Sequence, residues 1–114
     1  MAKKRPAGEL VIPPAALTDP KSVEMMRLWI ADRRLHCALN IGYWKRHSGV
    51  EEDLAWGKVL ADAVRHITNA LGEAEGSDAE GTVRRIMKAL EAELSEPMTA
   101  YRGRFVDPRN NPGE

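Results

Sequence analysis

The chain has 114 residues, with one cysteine, one phenylalanine and no charge excess. With a single cysteine, Cys37, no internal disulfide can form; this fits a reducing compartment, and the expected location is the cytoplasm. Seventeen basic residues balance seventeen acidic ones, so no cationic field points to nucleic acid or to an anionic membrane. No apolar run approaches the ~20 residues of a membrane span. The start, MAKKRPAGE, leads into no apolar stretch and does not read as a secretory signal. CxxC, HxH and HExxH spacings are missing, so no metal site is expected. There is no glycine-rich phosphate loop: Gly42, Gly49, Gly72 and Gly76 read as turns or caps, and no cofactor is expected. Internal repeats and low-complexity segments are also lacking.

What is present is enough for one domain. A chain of this length buries roughly two-thirds of its unfolded surface. Residues 23–41, VEMMRLWIADRRLHCALNI, alternate with period two and predict a β-hairpin. Met26, Leu28 and Ile30 share one face of the first arm, and Leu35, Cys37, Leu39 and Ile41 share one face of the second. Arg27, Trp29 and His36 alternate with them. Asp32-Arg33-Arg34 is a polar, turn-compatible link without the glycine of the strongest turn signals. Two strands alone are marginal in water, so the hairpin must lean on something else.

Around it, residues 1–8 read as a disordered basic tail, residues 9–106 as a single domain and residues 107–114 as a mobile tail. Residues 9–12 are β-prone until Pro13-Pro14 forces extended backbone. Thr18-Asp19-Pro20 reads as a turn. Residues 42–47, GYWKRH, form an aromatic and basic connector. Ser48 and Glu51 fit a capping box before a helix over about residues 50–71, with Gly57, Leu60, Ala61, Val64, Ile67, Thr68 and Leu71 as its core stripe. Ser77 and Glu80 fit a second box before a helix over about residues 78–94, striped by Val83, Ile86, Met87, Leu90 and Leu94. Residues 104–106 are one more short strand or an extended strap.

Strands followed by helices predict an α+β fold: a small antiparallel sheet built on the hairpin, with two α-helices packed on one face. The aliphatic hairpin face would meet the helix stripes. Trp29, with Arg27 and His36, would stay exposed on the other face beside an open strand edge.

Several blocks, in order, resemble a known family. They are VIPPAA at residues 11–16, Asp19-Pro20, MRLWIAD at 26–32, AWG at 55–57 and LADAVRH at 60–66. Together they resemble the domain of unknown function numbered 5076, found mainly in alphaproteobacteria, over roughly residues 9–72. The resemblance implies a small bacterial cytosolic protein with no assigned activity, and it carries no catalytic motif to transfer.

Candidate chemistry is sparse. His36 and His66 are the titratable candidates for acid–base work, or else helix-edge and surface histidines held by local hydrogen bonds. Asp62, Arg65 and His66 fall at i, i+3 and i+4, where the two cations can hold an anion or form an ordinary solvated face. Cys37 sits on the aliphatic face, where a thiol fills volume rather than attacks. Trp56 is assigned to the core, and Trp29 and Trp44 are open to binding.

Two functional readings follow. In the first, the chain is a non-enzymatic interaction module that pairs with a second copy or another protein through the hairpin edge and the face bearing Arg27, Trp29 and His36. In the second, it is an anion-binding protein or minor enzyme using His36, Arg65 and His66 near an aromatic pocket with Trp44.

Overall fold

The computed structural model describes residues 5–96 together with the backbone of residues 105 and 106. Expectations for residues 1–4, for Arg104 and for residues 107–114 lie outside the described residues.

Strands β1 (Met26–Ala31) and β2 (Arg34–Leu39) pair antiparallel, from Met26 opposite Leu39 to Ala31 opposite Arg34. The period-two pattern is satisfied residue by residue. Leu28 faces Cys37 and Ile30 faces Leu35 on the aliphatic side; Trp29 faces His36 on the other. The turn is tighter than expected. Arg34 already belongs to β2, and only Asp32 and Arg33 link the strands, with φ of 54° and 63°. Left-handed backbone at both central positions is the two-residue hairpin geometry whose twist matches the strands, here made without glycine.

The third strand, β3 (Phe105–Val106), pairs with β2 in parallel, Cys37 opposite Phe105. Beyond the antiparallel hairpin, the sheet is therefore mixed. Its order, β1-β2-β3, leaves β1 at the edge. Residues 10–12 do not form a strand on that edge. They lead into a short helix, α1 (Pro14–Thr18), where extended backbone was expected. Pro14 takes the first helical position, where a missing N–H is harmless. The expected turn follows, with the Ser22 N–H donating to the Asp19 carbonyl at 3.0 Å.

The aromatic connector forms a short helix, α2 (Tyr43–His47). Gly42 precedes it at φ 93°. Helix α3 (Glu52–Glu75) runs past the expected stop at Gly72. It ends at Gly76, whose φ of 70° is left-handed and whose N–H bonds back to the Gly72 carbonyl at 2.9 Å. A mid-helix glycine costs only about 1 kcal/mol against alanine, too little to end a long amphipathic run. Helix α4 (Ala79–Leu94) is capped by Asp78, one residue after the expected Ser77; its carboxylate accepts from the Gly81 N–H at 2.6 Å.

The class is α+β. Helices α3 and α4 pack on each other, and α2 packs on α3. Ala55 and Thr68 on α3 and Gly81 and Thr82 on α4 are buried. The expected covering of the aliphatic hairpin face is incomplete among the described residues: Met26, Cys37, Leu39 and Ile41 are half-buried. Among the described residues Leu28, Ile30 and Leu35 remain exposed, Ile30 at 82%. Parts of the helix stripes are exposed too: Leu60, Ile67, Met87 and Leu94. Periodicity determines which residues share a face, but not which surface meets that face.

Candidate functional site

Two regions concentrate chemistry: the edge of β1, and the junction of α2 with α3.

Along β1 lies a groove of about 650 Å³, within the range of small-molecule and peptide sites. Met26, Leu28 and Trp29 line it from the strand, and Leu10, Val11 and Leu17 from the preceding segment. Trp29, expected to be exposed, is therefore half-buried. Arg27 sits at the rim, donating to Glu24 at 3.0 Å and to Glu9 at 3.4 Å. Arg5 also pairs with Glu9. That hydrogen bond, helped by the charges of Arg5 and Arg27 and opposed by desolvation, holds the Glu9 carboxyl below its ordinary range.

The backbone direction of β1 is settled at its start. The Met25 carbonyl accepts from the Asn40 N–H at 3.0 Å, so that pair is hydrogen-bonded across the hairpin. In an antiparallel ladder, bonded and non-bonded pairs alternate. Met26, Leu28 and Ile30 therefore aim their backbone N–H and C=O groups away from β2. Among the described residues no backbone hydrogen bond reaches them from that side.

At the second region Glu52 does work that its sequence position does not advertise. Its carboxylate accepts from the backbone N–H groups of Gly42 and Trp44 at 2.9 Å and of Lys45 at 3.0 Å, capping α2 from the next helix. It also accepts from the Trp56 indole at 3.2 Å. Partial burial raises the pKa of Glu52; these four bonds outweigh it, and the carboxyl stands below its ordinary value. The expected capping box is absent: the Ser48 hydroxyl donates back to the Trp44 carbonyl at 3.0 Å, and Glu51 caps α3 without a side-chain bond. Trp44 meets Trp56 edge to face at 5.4 Å and Tyr43 edge to face at 5.7 Å, and Tyr43 lies tilted against His47 at 4.6 Å. An acidic residue in a first helical turn reads as a dipole partner, so no sequence signal marks Glu52 as a tertiary cap.

The predicted site residues fall in separate places. His36 lies on the sheet opposite Trp29, its Nε2 donating to the Ala31 carbonyl at 3.0 Å. Asp62 pairs with Arg65 at 3.7 Å and with His66 at 3.4 Å, all three exposed, as their helical spacing predicts. Trp44 and Arg65 share a shallow depression of about 630 Å³ with Lys58 and Asp62; His36 and His66 do not line it. Cys37 is a half-buried free thiol. Among the described residues no three His, Cys, Asp or Glu side chains gather to hold a metal, and no helix is long and apolar enough to cross a membrane.

The profile of the family described as "Domain of unknown function (DUF5076)" matches residues 9–98. No curated protein matches. Among solved structures the fold is similar to one described as a "putative pyruvate dehydrogenase from the photosynthetic bacterium Rhodopseudomonas palustrus CGA009". The two are 24% identical with a TM-score of 0.60, over 91% of this chain and 98% of that one. At that identity the likeness is one of fold.

Proposed function

We propose, from the premise that the chain belongs to the family described as Domain of unknown function (DUF5076), that it is a non-enzymatic interaction module that self-associates through its hairpin. The observation that carries this reading is the aliphatic hairpin face, with Leu28, Ile30 and Leu35 exposed beside an open strand edge. Apolar side chains clustered in this way on a soluble chain mark a surface awaiting a partner. The proposed setting is the cytoplasm of an alphaproteobacterium, supported by the family resemblance and the lone cysteine. The dehydrogenase description is that of the structural neighbour, whose likeness to this chain is one of fold.

Light scattering over a concentration series tests the reading. A mass of twice the chain, persisting on dilution into the micromolar range, is expected. A single-chain mass at every concentration refutes self-association.

One observation favours a second reading, a small anion held beside Trp44. Arg65 and Lys58 line the same depression as that indole, although Asp62 already pairs with Arg65. Titration with inorganic phosphate, followed by the Trp44 indole and Arg65 resonances, tests it. Saturable shifts at both support this reading; no shift at millimolar phosphate removes it.

A further inference from the structure

We infer that the second copy docks by its own β1 against β1, antiparallel about a two-fold axis at Leu28, joining two three-stranded sheets into one. The inference rests on the self-association proposed above and specifies its surface and register.

Three observations point to this occupant. The first is backbone polarity. Met26, Leu28 and Ile30 present their N–H and C=O groups outward, and an identical antiparallel strand presents the same three residues in return. With the axis at Leu28, Met26 pairs with Ile30 of the second copy, Leu28 with Leu28, and Ile30 with Met26. Every outward group of β1 then gains a partner.

The second is side-chain complementarity. In this register Met26, Leu28 and Ile30 stay on one face and build an unbroken aliphatic surface across the axis. On the other face Arg27 stands opposite Trp29 of the second copy. A guanidinium over an indole is a favourable cation–π pair, and it occurs twice by symmetry. Moving the axis one residue, to Trp29, sets Met26 against Asp32 of the turn and loses both gains.

The third is the groove itself. Met26 and Leu28 line it, whereas Ile30 at the other end of β1 is 82% exposed and outside it. The two-fold axis carries Ile30 of the second copy to Met26, into the mouth of that groove. The most exposed large apolar side chain of the hairpin thus meets the apolar groove beside the open edge.

The test separates this register from self-association in general. In a Cys37→Ser background, Leu28→Cys and Ile30→Cys are oxidised mildly and run without reductant. Leu28 pairs with itself at a Cα separation of about 5.5 Å, inside the disulfide window, whereas two Ile30 positions lie far apart. Fast, near-complete cross-linking of Leu28→Cys and little of Ile30→Cys is expected, although Ile30 is the more exposed. Equal or faster linking of Ile30→Cys overturns the register. As a second variant, Leu28→Pro removes an N–H that points outward and leaves the hairpin ladder intact. It is expected to be monomeric, with unchanged far-ultraviolet circular dichroism, at concentrations where the parent is dimeric. A dimeric parent with a dimeric Leu28→Pro and no preference for Leu28→Cys overturns pairing along β1 and leaves self-association itself standing. A monomeric parent removes both.

Discussion

The hairpin and the α2–α3 junction are built on opposite plans. At the junction one carboxylate gathers four donors, two indoles meet edge to face, and Ala55 is 5% exposed. At the hairpin the alternation is clean and strand pairing complete, yet Leu28, Ile30 and Leu35 stay exposed among the described residues. The junction is finished by directional bonds within one chain. The hairpin carries non-directional apolar surface, whose value depends on what excludes the water. An element can thus be fully specified in its own geometry while much of its apolar face has no tertiary contact among the described residues.

The sharpest way to test that contrast is to remove Glu52. Glu52→Ala leaves the Gly42, Trp44 and Lys45 N–H groups and the Trp56 indole without their acceptor. It should lower the urea midpoint more than Asp78→Ala, Arg33→Gly or Ile30→Lys. Glu52→Gln, which keeps one acceptor oxygen, should fall between. Stability should also track pH with a defined sign. The folded carboxyl titrates below its ordinary 4.5, so its contribution is complete above that value and is lost as pH falls through the folded pKa. Urea midpoints from pH 7 downward should decline below about 4.5 in the parent, with the decline reduced in Glu52→Gln. Parallel profiles for the two proteins would show that Glu52 is not the titrating cap.

Next in size is the other cap. Asp78→Ala removes the acceptor for the Gly81 N–H and should cost about 1 kcal/mol by chemical denaturation. A loss below a few tenths would mean that water replaces the carboxylate freely at the α4 start.

These two caps show how far the sequence was legible. Local signals carried well: the alternation in β1 and β2, both long helices, and the face shared by Asp62, Arg65 and His66 were all readable from spacing. What failed was non-local. Ser48 looked like a helix cap, but its hydroxyl is spent on the turn behind it. Glu52 looked like an ordinary first-turn acid, because its partners lie seven to ten residues back in a helix that the sequence did not announce. The parallel arrival of β3 at β2 is likewise invisible in two residues of sequence. Of the candidate site, the opposition of Trp29 and His36 followed from register; the groove that half-buries Trp29 depends on where residues 8–17 lie.

A smaller effect probes the hairpin from its turn. Arg33 holds φ at 63°, a region that costs a side chain roughly 1–2 kcal/mol, while glycine brings back roughly 0.5–1 kcal/mol of unfolded-state entropy. Arg33→Gly should therefore stabilise by about 0.5–1 kcal/mol, the difference of those terms. A loss of stability would mean that the arginine side chain makes contacts worth more than its backbone strain.

The smallest expected effect on the single chain is the most informative. Ile30→Lys places a charge where a large apolar side chain stood. In a covered core such a change costs several kcal/mol; at a site 82% exposed, it should alter the stability of the dilute single chain by less than about 0.5 kcal/mol. The same substitution should weaken association strongly, because the lysine would have to enter the apolar groove of the second copy. Two readouts on one variant thus separate the hairpin's role within the chain from its role between chains. Near-parental denaturation at low concentration with loss of dimer at high concentration fits a face kept for a partner. Strong destabilisation of the dilute single chain would instead show that its own residues cover Ile30, and the contrast between hairpin and junction would collapse.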